Sequence, residues 1–142
     1  MNNFEEKRTI SGKWGEVWID NNYVGQIKGF TAEIELQFED VAKSRQLAVG
    51  KKLTGLEPTG ELQFHKVNSR YQKLISDNLK RGKATEVKII SNLDDPDSDG
   101  NERVVIYDAL LGTLTLASWE LENLLEEVIP FTFTDWDFED VI

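Results

Sequence analysis

The sequence predicts a mainly β domain with one helix, built as a sandwich or barrel with the helix packed at one side. Three observations carry this. Residues 30–38 alternate strictly: Phe30, Ala32, Ile34, Leu36 and Phe38 are interleaved with Thr31, Glu33, Glu35 and Gln37. That period of two gives one face to a core and one to water. Bulky and β-branched residues recur elsewhere in short runs between turn formers, the pattern of strands. Only 69–81 has helical spacing, with Tyr71, Leu74, Ile75 and Leu79 on one stripe. The chain has 142 residues, enough for one domain over 1–142 that buries roughly 68% of its unfolded surface.

Taken in order, residues 12–19 form a strand through Trp14, Val17, Trp18 and Ile19, with large apolar groups on both faces. Asp20-Asn21-Asn22 is a turn, because Asn and Asp tolerate positive φ. A long strand region covers 23–38, and Ile27 is out of phase with it, which places a bulge at Gly29. Segment 39–60 carries Val41, Leu47, Val49, Leu53 and Leu56 without sustained alternation, broken by three glycines and Pro58. Either it hides a hairpin or it orders only against a partner, and the scattered apolar anchors among charges favour the second. A short strand follows over 61–67. Ser69 and Gln72 fit a capping box for the helix, and Gly82 stops it. Segments 85–92 and 103–111 read as strands around an Asp-rich turn, 113–119 continues the sheet, 120–125 is a short helix or strand, and 126–138 is extended. Pro130 suits an edge or a bulge, since it cannot donate to a ladder.

Charge is uneven. There are 26 acidic and 16 basic residues, net −10. Residues 1–71 are neutral overall, whereas 72–142 carry the whole −10, and nothing after Arg103 is basic. Lys43, Arg45, Lys51 and Lys52 cluster in one stretch. The acidic balance speaks against a nucleic-acid binder and against docking on an anionic membrane, and no apolar run is long enough to span a bilayer. A molecule with one basic and one acidic patch can attract its own copies head to tail. The absence of cysteine removes disulfides, thiolate metal sites and cysteine nucleophiles.

Candidate chemistry is sparse. Asp95, Asp97 and Asp99 before Gly100 resemble the start of a calcium loop, but the twelfth position is Ile106 and the flanks are strands. A polar hairpin turn is the simpler reading. His65 is the only histidine, with no partner for a metal site or a catalytic dyad. Carboxylate pairs such as Glu33/Glu35, Glu126/Glu127 and Asp135/Asp137 follow from composition, and a hydrolase would need two of them across a cleft. No metal and no cofactor is implied. Trp14, Trp18 and Trp136 could form a platform for sugars. This leaves a monomeric β-sandwich carbohydrate- or calcium-binding module as the alternative to a self-assembling structural protein.

An ordered set of segments favours the structural protein. Thr9-Ile10-Ser11-Gly12 leads to Gly15; Lys51-Lys52-Leu53-Thr54-Gly55 is followed by Thr59-Gly60; and Phe64-His65-Lys66-Val67 precedes the helix. Asn101-Glu102-Arg103-Val104 leads to Tyr107-Asp108, and Glu127-Val128-Ile129-Pro130-Phe131-Thr132-Phe133 completes the set. Together these resemble the tail-tube proteins of contractile phage tails, of the kind found in PBSX-type prophages and phage-tail-like bacteriocins. The resemblance implies two packed antiparallel sheets, partly closed into a barrel or sandwich, and no enzymatic activity. It implies hexameric rings stacked into a hollow tube, with sheath, tape-measure and baseplate proteins as partners and DNA only as passing cargo. It places the chain in a virion tail assembled in the bacterial host cytoplasm. On that pattern 39–60 is an extended inter-ring stacking loop, with Val41, Lys43, Arg45, Lys51, Lys52, Leu53 and Leu56 as contacts. Glu33, Glu35 and Gln37 would then line the lumen.

Overall fold

The computed structural model describes residues 15–42, 45, 47–65, 69–94 and 101–140. Its elements are strands β1 (Gly15–Ile19), β2 (Asn22–Tyr23), β3 (Ile27–Val41) and β4 (Gly50–His65), helix α1 (Arg70–Lys80), then β5 (Glu86–Leu93), β6 (Glu102–Leu111), β7 (Glu126–Thr132) and β8 (Asp135–Asp140). All strand pairs are antiparallel. They run in the order β2-β1-β5-β6-β7-β4-β3, with β8 also on β6.

The two expected sheets are thus two layers of one hydrogen-bonded network that does not close. One layer is β2-β1-β5-β6-β8 and the other is β7-β4-β3. They join at a corner where Leu110 and Leu111 of β6 meet Thr132 and Phe131 of β7. After this corner the chain bends at Phe133 and Thr134, and β8 runs back along β6 from Tyr107 to Arg103. Between the layers lie Val17, Ile89 and Ile106 from one side and Leu62, Phe64, Ile129 and Phe131 from the other. Phe131 stacks on Phe30 at 5.9 Å, and Phe64 stacks on Tyr71 of α1 at 5.5 Å.

The turn at Asp20-Asn21 forms with φ of 49° and 67°, which suits a two-residue hairpin. The bulge at Gly29 is present as a register shift between Ile27 and Gly29. Gly82 closes α1 at φ 74°, its N–H donating to the Leu79 carbonyl at 2.9 Å. The capping box does not form: Ser69 makes no side-chain cap bond, and the Gln72 amide donates instead to the Thr115 carbonyl. The buried stripe of α1 is narrower than its spacing suggests, holding Tyr71, Gln72 and Ile75 while Leu74 and Leu79 stay exposed.

Two larger departures matter for function. Segment 39–60 is mostly strand: β3 and β4 pair continuously from Ile27–Phe64 to Val41–Gly50. The hidden hairpin is real, and its alternation is masked by an extra residue at Thr54, where the register shifts between Gln37–Gly55 and Phe38–Leu53. Below that bulge Pro58 and Gly60 occupy positions where large apolar residues would have shown the period. Second, 112–125 is irregular rather than a continuation of the sheet. Gly112 donates its N–H to the Pro130 carbonyl at 2.8 Å. Pro130 has no N–H to return, so the ladder ends there and the chain leaves the sheet.

Candidate assembly surface

The β3–β4 hairpin extends beyond the core as an arm with two unlike faces. Register places Ile34 opposite Pro58, Leu36 opposite Leu56 and Phe38 opposite Leu53. Cross-strand partners share a face, so this face is apolar. Near the core it is covered, with Phe30 and Ile34 half-buried against it. Farther out it is open: Leu36 is 50% exposed, Phe38 53%, Leu53 49% and Leu56 44%. The packing expected for the whole apolar face of 30–38 therefore stops at Ile34. Beyond Phe38 an ion pair between Lys51 and Asp40 finishes this face.

The opposite face is polar and acidic. Glu33 lies opposite Thr59, Glu35 opposite Glu57 and Thr31 opposite Glu61, with Gln37 next to the bulge opposite Gly55. β7 extends the same face, since Thr59 pairs with Thr132, Glu61 with Pro130 and Gln63 with Val128. Sequence alone points to Glu33, Glu35 and Gln37; the register adds Glu57, Thr59 and Glu61. The Glu35–Glu57 pairing sets like charges directly opposite each other, which destabilises a sheet. Local conflict of this kind marks a surface shaped by function rather than by folding.

β3 is the last strand on its side of the sheet. Its 15 residues leave a row of backbone donors and acceptors open along one edge, a template for another chain. At the arm tip, Arg45 holds φ 63° and Leu47 is fully exposed. Lys51 is engaged by Asp40 of its own arm, and Lys52 sits opposite Glu39. Val41 is exposed at the last pair of the hairpin. Lys43 lies outside the described residues, as do Trp14 and residues 95–100 with their aspartates.

Between β3 and the β1–β5–β6–β8 layer is an open crevice of about 880 Å³, lined by Phe30, Ile34, Val104, Ile106, Trp136 and Phe138 among others. Among the described residues no group of three or more His, Asp or Glu is placed to hold a metal. The described members of the expected tryptophan platform, Trp18 and Trp136, do not come together. Trp18 packs on Tyr23 at 5.6 Å, while Trp136 meets Phe133 edge-on at 6.1 Å. Among the described tryptophans the exposed one is Trp119, on the 112–125 strap.

Among the described residues two carboxyls are shifted. The Lys28 ammonium, 2.7 Å from Glu126, holds the Glu126 carboxyl below the usual range by hydrogen bond and charge. This pair ties the start of β7 to β3. Glu86 is pushed up by a hydrogen bond to Asp108 and by the Asp108 charge. Asp108 sits at φ 54° beside the register shift between Val87 and Ile89.

A β module with a long open edge and a half-covered apolar arm has the attributes of an assembly subunit. The family follows from comparison with known proteins. The phage tail tube protein family matches residues 2–140. The phage-like element PBSX protein XkdM of Bacillus subtilis strain 168 is 36% identical over 133 residues, covering 92% of this chain and 90% of that protein. YqbM of the same strain is 35% identical over 133 residues, again with 92% and 90% covered. The chain belongs to the phage tail tube protein family, whose members are structural and not enzymes. A Bacillus subtilis protein of known structure, 34% identical, superposes with a TM-score of 0.54 over 96% of this chain and 99% of that one. The fold is also that of the cap terminating the anti-feeding prophage tube, at TM-score 0.76 and 10% identity over 99% and 97% of the two chains. A chain of the PVC sheath–tube complex in its extended state gives 0.70 at 10% identity over 93% and 92%.

Proposed function

We propose that this tail tube protein builds the inner tube of a contractile phage tail or phage-tail-like particle, as hexameric rings stacked along one axis. The observation that carries this is the β3–β4 arm, apolar and half-open on one face, acidic on the other. In a ring the open β3 edge pairs with a neighbouring copy, which removes the edge. The apolar face, with Leu36, Phe38, Leu53 and Leu56, is then covered by protein. The acidic face, with Glu33, Glu35, Gln37, Glu57 and Glu61, is turned to the lumen. Carboxylates there repel DNA phosphates, so that cargo passes without sticking. The arm tip, from Val41 through Arg45 to Lys51 and Lys52, reaches the next ring. Exposed ion pairs contribute only about 0–1 kcal/mol each, so charge sets register while apolar burial supplies strength.

The likeness of fold to chains of the anti-feeding prophage and PVC assemblies supports a contractile setting, with sheath, tape-measure and baseplate proteins as partners in a virion-type tail. Light scattering across concentration, with negative-stain imaging of the same samples, tests the reading. Mass that grows with concentration, and hollow rings or tubes on the grid, are the expected result. A mass fixed at one chain at every concentration, both alone and with baseplate proteins added to initiate assembly, overturns it.

A further inference from the structure

Strand β4 separates two poles of the molecule. It runs 16 residues from Gly50 at the arm tip to His65, about 50 Å at ~3.3 Å per residue. His65 pairs with Glu126, where the 112–125 strap enters β7. The strap's C-terminal end is therefore at the opposite end of β4 from the arm tip.

Both poles are apolar and exposed. On the strap Leu116 is 81% exposed, Trp119 69%, Leu121 82% and Leu124 85%. So much aromatic and aliphatic surface on one short segment marks a contact site. At the tip Leu47 is fully exposed and Val49 more than half exposed. Their charges are opposite. Residues 39–52 hold four basic and two acidic residues, net +2 with Lys51 engaged by Asp40 and Lys52 opposite Glu39, whereas the 112–125 strap holds Glu120 and Glu122 and no basic residue, net −2.

We propose that the arm tip of one copy seats on the 112–125 strap of the next copy along the tube axis. The inference rests on the tube reading and adds the surface that receives the tip. Each patch is unlike itself and matched to the other, and the two stand at opposite poles. Such a contact is head to tail; it does not close on a pair and so propagates as a stack. Leu47 and Val49 meet Leu121, Leu124 and Trp119, and the basic tip faces Glu120 and Glu122. The charge match orients the approach and excludes tip-to-tip and strap-to-strap encounters.

The cysteine-free sequence permits a direct test in the full chain. Leu47→Cys and Leu121→Cys are made singly and together, at exposed positions where substitution leaves folding nearly unchanged. The samples are concentrated, oxidised and run without reductant, with imaging of each in parallel. The double variant is expected to give a ladder of trimers and larger species. Each single variant alone is expected to stay monomeric on the gel, and an equimolar mixture of the two to give a mixed dimer. Tubes on the grid without a ladder overturn the proposal and leave the tube reading standing. Like-to-like dimers from either single variant also overturn it. No self-association in any sample, with baseplate proteins added to initiate assembly, overturns both. A Leu121→Cys thiol that reacts with maleimide as fast in imaged tubes as in the single chain assigns the strap to a different tail protein, such as the sheath, and overturns the proposal as well.

Discussion

Two phenylalanines separate folding from assembly. Phe131 is 2% exposed, between Phe30 and Phe133 in the core, whereas Phe38 is 53% exposed on the arm. Phe131→Ala removes a ring that the single chain already covers, and is expected to lower unfolding free energy by about 3–5 kcal/mol. Phe38→Ala is different. A phenylalanine side chain buries about 200 Å² when fully covered. Half of that, about 100 Å², is still in water in the single chain. If a neighbouring copy covers it, about 2.5 kcal/mol of each contact comes from this ring at ~25 cal/mol per Å². That is about a 60-fold weakening of association, against a folding loss of at most about 2.5 kcal/mol for the ring's covered half by the same coefficient. Urea denaturation at low concentration reads the first quantity, and sedimentation velocity across concentration reads the second. An association constant unmoved by Phe38→Ala, or a folding loss as large as that of Phe131→Ala, would refute the argument that this face is reserved for another copy.

Two further predictions concern the single chain. A side chain at Gly60 meets the Phe131 ring and the Thr31 carbonyl oxygen, so Gly60→Ala is expected to destabilise the fold by about 1–3 kcal/mol through overpacking; an unchanged urea midpoint contradicts this. Glu86, raised by Asp108, binds its proton more tightly in the folded than in the unfolded chain. Its contribution to stability is present below the unfolded pKa and is lost as pH rises through the folded pKa, where both carboxylates are charged. Glu86→Gln removes that repulsion, so the variant is expected to have the higher Tm near neutral pH, with the gap shrinking in acid. A Tm difference that is the same at pH 4 and pH 7 contradicts the assignment.

Much of the fold is local, and local features are legible in a sequence. The alternation of 30–38 shows β3 because successive strand side chains point to opposite faces. The Asp20-Asn21 turn, the Gly29 bulge and the Gly82 stop each rest on the backbone preference of one or two residues. The mainly β class with one helix follows from these, and the basic and acidic ends of the sequence are plain from composition. The capping box fails because Gln72 finds a partner 43 residues away at Thr115, a contact that no local pattern contains.

What the tertiary structure decided is pairing across distance. One extra residue at Thr54 shifts the parity of β4, so half of a 16-residue strand reads as aperiodic until β3 is laid beside it. The same register brings Glu57 and Glu61 onto the face of Glu33 and Glu35, and commits Lys51 to Asp40 of its own arm. The strap exists because Pro130, on a strand more than ten residues later, withholds the N–H that would have continued the ladder. Sequence by itself determined which segments could be strands and where charge would gather. Only the folded chain settled which faces are covered and which remain open, because burial depends on the partner strand opposite each residue and not on the residue alone.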